Sequence, residues 1–166
     1  ALAYAGGGLD SMFWVKIITY GASAQVLFPQ MRFYDAGLNL LSAFTFNAFN
    51  ASIARIECSN DGESLQVNSV VPITAGSWFC IRAFYDDSDR KVGIQVNNGV
   101  VVKSSTAFSA PMPNAVKGNV GIWHFGSGGG SLDEFLADEL VCRIGSLFTA
   151  AEVAAYYNSA AGRTFP

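Results

Sequence analysis

Residues 77–87, SWFCIRAFYDD, alternate with a period of two, and both resulting faces are apolar. Trp78, Cys80, Arg82 and Phe84 fall on one side, and Phe79, Ile81, Ala83 and Tyr85 on the other. Successive side chains of a strand point to opposite faces, so a strand with two apolar faces needs cover on both. This stretch therefore predicts a central strand within a layered structure.

The same period runs along the rest of the chain. MFWVKIITYG, QVLFPQMRFY, LNLLSAFTFNAF, IARIEC, LQVNSVV, KVGIQV, VGIWHFG and FLADELVCRIG are rich in β-branched and aromatic residues. Pro29 interrupts the second run, because a proline cannot donate to a ladder, so an edge strand or a bulge is expected there. Asp61-Gly62 between IARIEC and LQVNSVV marks a hairpin, since tight turns need residues that tolerate positive φ. Asn97-Asn98-Gly99 marks a second hairpin, and DDSD at 86–89 turns the chain between two further strands. GSGGGS at 126–131 reads as a flexible connector. In the last strand, Leu136, Leu140, Cys142 and Ile144 are expected on one face beside Asp138. Short strands separated by Gly, Asn and Pro predict an all-β fold, an antiparallel sandwich or barrel.

The chain closes differently. Thr149-Ala-Ala-Glu152 has the form of a capping box, followed by an alanine-rich amphipathic run. Gly162 offers a left-handed stop for a helix of about three turns. So short a helix makes no core of its own and must dock on the strands.

Composition narrows the function. At 166 residues the chain is expected to form one domain, with residues 1–10 as a flexible lead-in and 11–166 as the folded unit. A net charge of −3 with only 14% charged residues gives no case for nucleic acid. No apolar run nears the ~18 residues that predict a membrane-spanning helix, so no membrane insertion is expected. Cys58, Cys80 and Cys142 lack metal-like spacing and are expected as free, buried thiols.

TAGSWFCIRAFYDDSDRKVGIQVNNGVVV places Gly76 before Trp78, ends a central strand at Tyr85-Asp86 and enters an Asn98-Gly99 hairpin. ADELVCRIGSLFTAAEVAAYYNSAAG joins an Asp138-Glu139 pair to the Thr149/Glu152 helix. These stretches, with NVGIWHFG between them, resemble the concanavalin A-like lectin/glucanase superfamily, in particular its laminin-G-like modules. The resemblance covers roughly residues 74–162. It implies a two-sheet antiparallel jelly-roll sandwich closed by one short C-terminal α-helix. That fold hosts enzymes, lectins and structural domains alike, so it does not choose an activity.

Retaining glycosidases need two carboxyl groups about 5–5.5 Å apart. SLDEFLADEL does not supply them in order: on one strand Glu134 and Asp138 share a face but stand about 13 Å apart, and neighbours Asp138 and Glu139 point apart. No enzyme is expected, and Asp138 reads as a buried carboxylate near the helix. Asp86, Asp87 and Asp89 are candidate calcium ligands, short of the six to eight oxygens calcium takes, so a solvated hairpin turn is the simpler reading. Adjacent Trp123 and His124 send one side chain outward, a candidate glycan contact beside the alternative that both serve the core. Asn50-Ala-Ser52 is a glycosylation sequon only in a secretory setting. The low charge also suits a domain embedded in an assembly. Two functions remain: a non-catalytic module recognising carbohydrate or a cell-surface receptor on an extracellular or virion surface, and a structural or decoration domain whose partners are protein subunits.

Overall fold

The structure is a computed structural model that describes residues 3–19, 25–49, 53–125 and 134–158. Ten strands and one helix follow in order: β1 (Leu9–Thr19), β2 (Gln25–Tyr34), β3 (Leu40–Phe49), β4 (Ile53–Asn60), β5 (Glu63–Pro72), β6 (Trp78–Asp86), β7 (Lys91–Val96), β8 (Val102–Lys103), β9 (Lys117–Phe125), β10 (Glu134–Ile144) and α1 (Ala150–Tyr157). They form two five-stranded antiparallel sheets, ordered β10-β1-β6-β7-β8 and β5-β4-β3-β2-β9. The sandwich and its closing helix agree with the expectation from the sequence.

The central-strand reading of residues 78–86 holds, because β6 lies between β1 and β7 and is buried on both faces. Phe79, Ile81, Ala83 and Tyr85 enter the core between the sheets. Opposite them, Met31 and Phe33 of β2, Ile56 and Cys58 of β4, and Leu65 and Val67 of β5 come from the second sheet. Each fully buried Ile or Phe contributes about 1.5–3 kcal/mol of transfer free energy.

The hairpins form where expected. Asp61 and Gly62 take φ of 45° and 81° in the two-residue loop between Asn60 and Glu63. In the next hairpin the positive φ falls on Asn97 and Asn98, at 51° and 53°, and Gly99 closes the turn by donating to the Val96 carbonyl. Asn97 holds its place because its side-chain oxygen accepts from the Cys80 amide at 2.9 Å.

Four expectations change, and one resolves between its alternatives. The stretch 1–10 is seated from Tyr4 onward: Tyr4 is buried and bridges to Ala115, and β1 begins at Leu9. Its glycines pack rather than loosen the chain, since a side chain on Gly7 would strike the Gly145 carbonyl. Of the two settings expected for Pro29, the bulge is the one found: the register shifts between Leu27 and Gln30, while β2 pairs with both β3 and β9 and is no edge strand. Leu136 does not share a face with Leu140. Glu139 stands at φ 54°, and β10 slips by one residue against β1 between Met12 and Trp14. That bulge leaves Leu140 and Ile144 against the core and Leu136 exposed. The helix has eight residues and stops at Asn158, in the left-handed conformation, while Gly162 lies outside the described residues. The three thiols are free, but only Cys58 and Cys80 are buried; Cys142 is exposed. The connector at 126–131 and the sequon at 50–52 also lie outside the described residues. No described helix is long and apolar enough to cross a membrane.

Candidate functional site

The outer face of the first sheet is closed by the C-terminal segment. Asp10 of β1 is fully buried there and takes the Arg82 guanidinium through Nε at 2.9 Å and Nη2 at 2.5 Å. Asp10 also accepts the Phe148 amide at 2.8 Å, and Arg82 donates to the Phe148 carbonyl at 3.0 Å. The pair thus holds both backbone groups of the residue before the helix cap. Burial pushes the Asp10 carboxyl up, against the Arg82 hydrogen bond and charge, which pull it down.

The capping box forms as the sequence predicts, with Thr149 Oγ1 accepting from the Glu152 amide and Glu152 accepting from the Thr149 amide. Glu152 also grips Arg143 at 2.6 and 2.9 Å. The Arg143 hydrogen bonds, then those from Thr149, hold the Glu152 carboxyl down at about 2. Tyr157 stacks on Trp14, with ring centroids 5.8 Å apart. Tyr156 donates its hydroxyl to the Glu139 carbonyl. The Asp138-Glu139 pair therefore belongs to the closure of the sandwich, but not as expected: Asp138 is exposed, and it accepts the neighbouring Glu139 amide at 2.8 Å. Asp10 fills the buried role that Asp138 was expected to play. Trp78 is half-buried at the start of β6, opposite Lys16.

The three aspartates of the β6–β7 hairpin do not converge. Asp86 and Asp89 both bind the Lys103 ammonium, at 2.7 and 2.6 Å. Burial would raise Asp86, but hydrogen bonds from Lys103 and Ser88 outweigh it and lower the carboxyl. Asp87 turns away to accept from the Tyr85 hydroxyl at 2.9 Å and the Gly7 amide at 3.1 Å. Glu63, from the facing turn, is engaged by Ser109. Among the described residues no group of three His, Cys, Asp or Glu side chains is placed to hold a metal ion. Asn98 and Gly99 are structural: both accept from the Gln95 amide.

The second sheet presents a different outer face. Three rows of paired residues cross it. Asn119, Arg32, Ala43, Ser59 and Ser64 form one, and Glu57 and Gln66 stand in the next, whose backbone pairing continues through Thr45 and Gln30 to Gly121. Arg55 and Asn68 stand in the third, and the backbone pairing continues from Arg55 through Asn47 and Leu27 to Trp123. The alternation that buries Ile56, Cys58, Leu65 and Val67 leaves Arg55, Glu57, Ser59, Ser64, Gln66 and Asn68 half-buried or exposed opposite them. Arg55 donates to Asn68 at 2.9 Å, and Ser64 to Glu57 at 3.4 Å. Two guanidiniums, a carboxylate, amides and hydroxyls thus line one sheet face. Trp123 and His124 pair with Leu27 and Val26 on edge strand β9; their side chains lie outside the described residues. This face was not singled out from the sequence, although the Asp61-Gly62 turn carries the signal: a two-residue loop pairs Asn60 with Glu63 and so brings Arg55 beside Asn68 and Glu57 beside Gln66.

No protein-family model and no curated protein matches the chain. Solved structures do. A heptameric SAP-like pentraxin from Limulus polyphemus is similar with a TM-score of 0.60 at 10% identity, over 93% of this chain and 70% of its own. Botulinum neurotoxin type C, whose uptake into cells depends on interaction with two ganglioside molecules, matches at 0.60 and 9% identity, over 94% of this chain and 36% of its own. An alginate lyase from Pseudomonas aeruginosa matches at 0.54 and 12% identity, over 83% of this chain and 65% of its own. The fold is the concanavalin A-like jelly roll.

Proposed function

We propose that the chain is a non-catalytic, lectin-like module that binds carbohydrate on the outer face of the β5-β4-β3-β2-β9 sheet. The observation that carries this reading is the composition of that face. Arg32, Arg55, Glu57, Gln66, Asn68 and Asn119 come from four strands and share one surface, at half-buried or exposed positions. Sugars present hydroxyls that donate and accept at once, and amides, guanidiniums and carboxylates arranged on a rigid sheet meet both demands. The ganglioside interaction of the neurotoxin and the polysaccharide named for the lyase support carbohydrate as the partner class.

Trp123 lies at the end of the third row and is the proposed aromatic platform; His124 is its neighbour on the same strand. Calcium has no part in this reading, because Asp86 and Asp89 already bind the Lys103 ammonium. Such a module belongs on an extracellular or virion surface, carried by a larger structure. A second reading, a structural domain with protein-subunit partners, is favoured by Leu38, Leu40 and Val116. These are 63, 51 and 54% exposed and are gathered around Tyr34. The test is a broad glycan array probed with calcium and with chelator. Reproducible binding in both conditions supports the module, and silence in both favours the structural domain.

A further inference from the structure

At the end of the second sheet that carries the Asp61-Gly62 turn, β3 and β4 meet the segment 110–113 across a groove of about 680 Å³. Its walls are apolar: Leu40, Leu41, Pro111 and Pro113. Its polar residues are Ser59, Asn60 and Asp61, and among the described residues no lysine, arginine or histidine lines it.

Asn60 is 3% exposed, and its side-chain oxygen has no hydrogen-bond partner among the described residues; its amide donates to the Ala110 carbonyl at a long 3.3 Å. Ser42, its direct partner across the β3–β4 ladder, is 1% exposed, and its hydroxyl likewise has no partner. Buried polar groups are almost always paired, so the unpaired Asn60 oxygen, with unpaired Ser42 behind it on the ladder, calls for a missing partner at the groove that Asn60 lines. Asn60 itself lines the groove, and its terminal torsion is broad, so rotation about that torsion is the route by which the oxygen would reach a ligand there.

We propose that this groove is a second binding site, separate from the polar sheet face, for a neutral polyhydroxylated ligand: one saccharide ring or the terminal unit of a chain. The chemistry selects that class. Asn60 is uncharged, and its side-chain oxygen needs a partner that donates. Asp61 also accepts and repels anions. The leucines and prolines match the C–H face of a sugar ring, and the volume lies within the range of small-ligand pockets.

The experiment is an amide-shift titration of the full chain with methyl glucoside, galactoside, mannoside and N-acetylglucosaminide. At least one probe is expected to shift Ser59, Asp61, Gly62, Ala110 and the Asn60 side-chain amide together. Asn60→Ala should weaken that binding by about tenfold or more, the loss of one charge-free hydrogen bond and its desolvated partner. Ala110→Trp, at an exposed position beside the groove, should abolish it while leaving the remaining spectrum in place, which guards against a variant that fails to fold. Unchanged affinity in both variants overturns the proposal, as does the absence of shifts at the groove for every probe. Shifts confined to Arg55, Gln66 and Asn68 would also overturn it while supporting the sheet face as the sugar site.

Discussion

The two sheets share one core but treat their outer faces in opposite ways. The face of β10, β1 and β6 is sealed by the helix through charged and aromatic contacts: Asp10 with Arg82, Glu152 with Arg143, Trp14 with Tyr157. The face of β5, β4, β3, β2 and β9 has polar residues at the alternate positions of β4 and β5 and receives no helix among the described residues. Polar side chains on the first face are spent on stability. Those on the second meet one another across the open sheet surface, as Arg55 does Asn68 and Ser64 does Glu57.

The comparison can be broken most severely at Asp10. Asp10→Ala leaves Arg82 buried without its carboxylate and the Phe148 amide without its acceptor. The expected loss is about 3–5 kcal/mol by chemical denaturation, the range for halving a buried ion pair. A loss below about 1 kcal/mol would mean that the helix is held by other contacts. Thr149→Ala removes one side of the capping box and should cost about 1 kcal/mol in the same assay.

Acid sharpens the same side of the comparison. The Glu152 carboxyl is held at about 2 in the folded state, against 4.5 for an ordinary glutamate. A depressed folded value means that protonation opposes folding, so the stability from this pair is complete above about pH 4.5 and fades as pH falls toward 2. The fluorescence of Trp14, which stacks on Tyr157 of the helix, should report part of that release. Glu152→Gln should flatten the change between those pH values. The smallest effect on stability belongs to the open face: Arg55→Ala with Glu57→Ala should change stability by no more than about 0.5 kcal/mol each, as is usual for surface positions.

The sequence reveals those parts of the molecule whose causes are local. Turn residues such as Asp61-Gly62 and Asn97-Asn98 carry their own φ preference, and Thr149 and Glu152 meet within one helical turn. Alternation in residues 78–86 announces a strand covered on both sides. What it hides is set by distant pairing. Asp10 meets Arg82 across 72 positions and Phe148 across 138, so no window of sequence shows that a residue after three glycines is the buried carboxylate of the closure. The slip at Glu139, which sends Leu136 outward, is a property of the β1–β10 register. The polar sheet face falls between these cases. Hairpin register makes its β4–β5 half legible, while the contribution of Arg32 and Asn119 requires knowing that β9 returns beside β2.

The most direct test of the central claim sets the wild-type chain beside the Arg55→Ala/Glu57→Ala variant on one glycan array, with folding of both verified by circular dichroism. The account predicts that the wild-type chain binds at least one glycan and that the variant, equally folded, loses about tenfold or more of that binding. An identical binding pattern in the two proteins, or a wild-type chain that binds nothing, would contradict it.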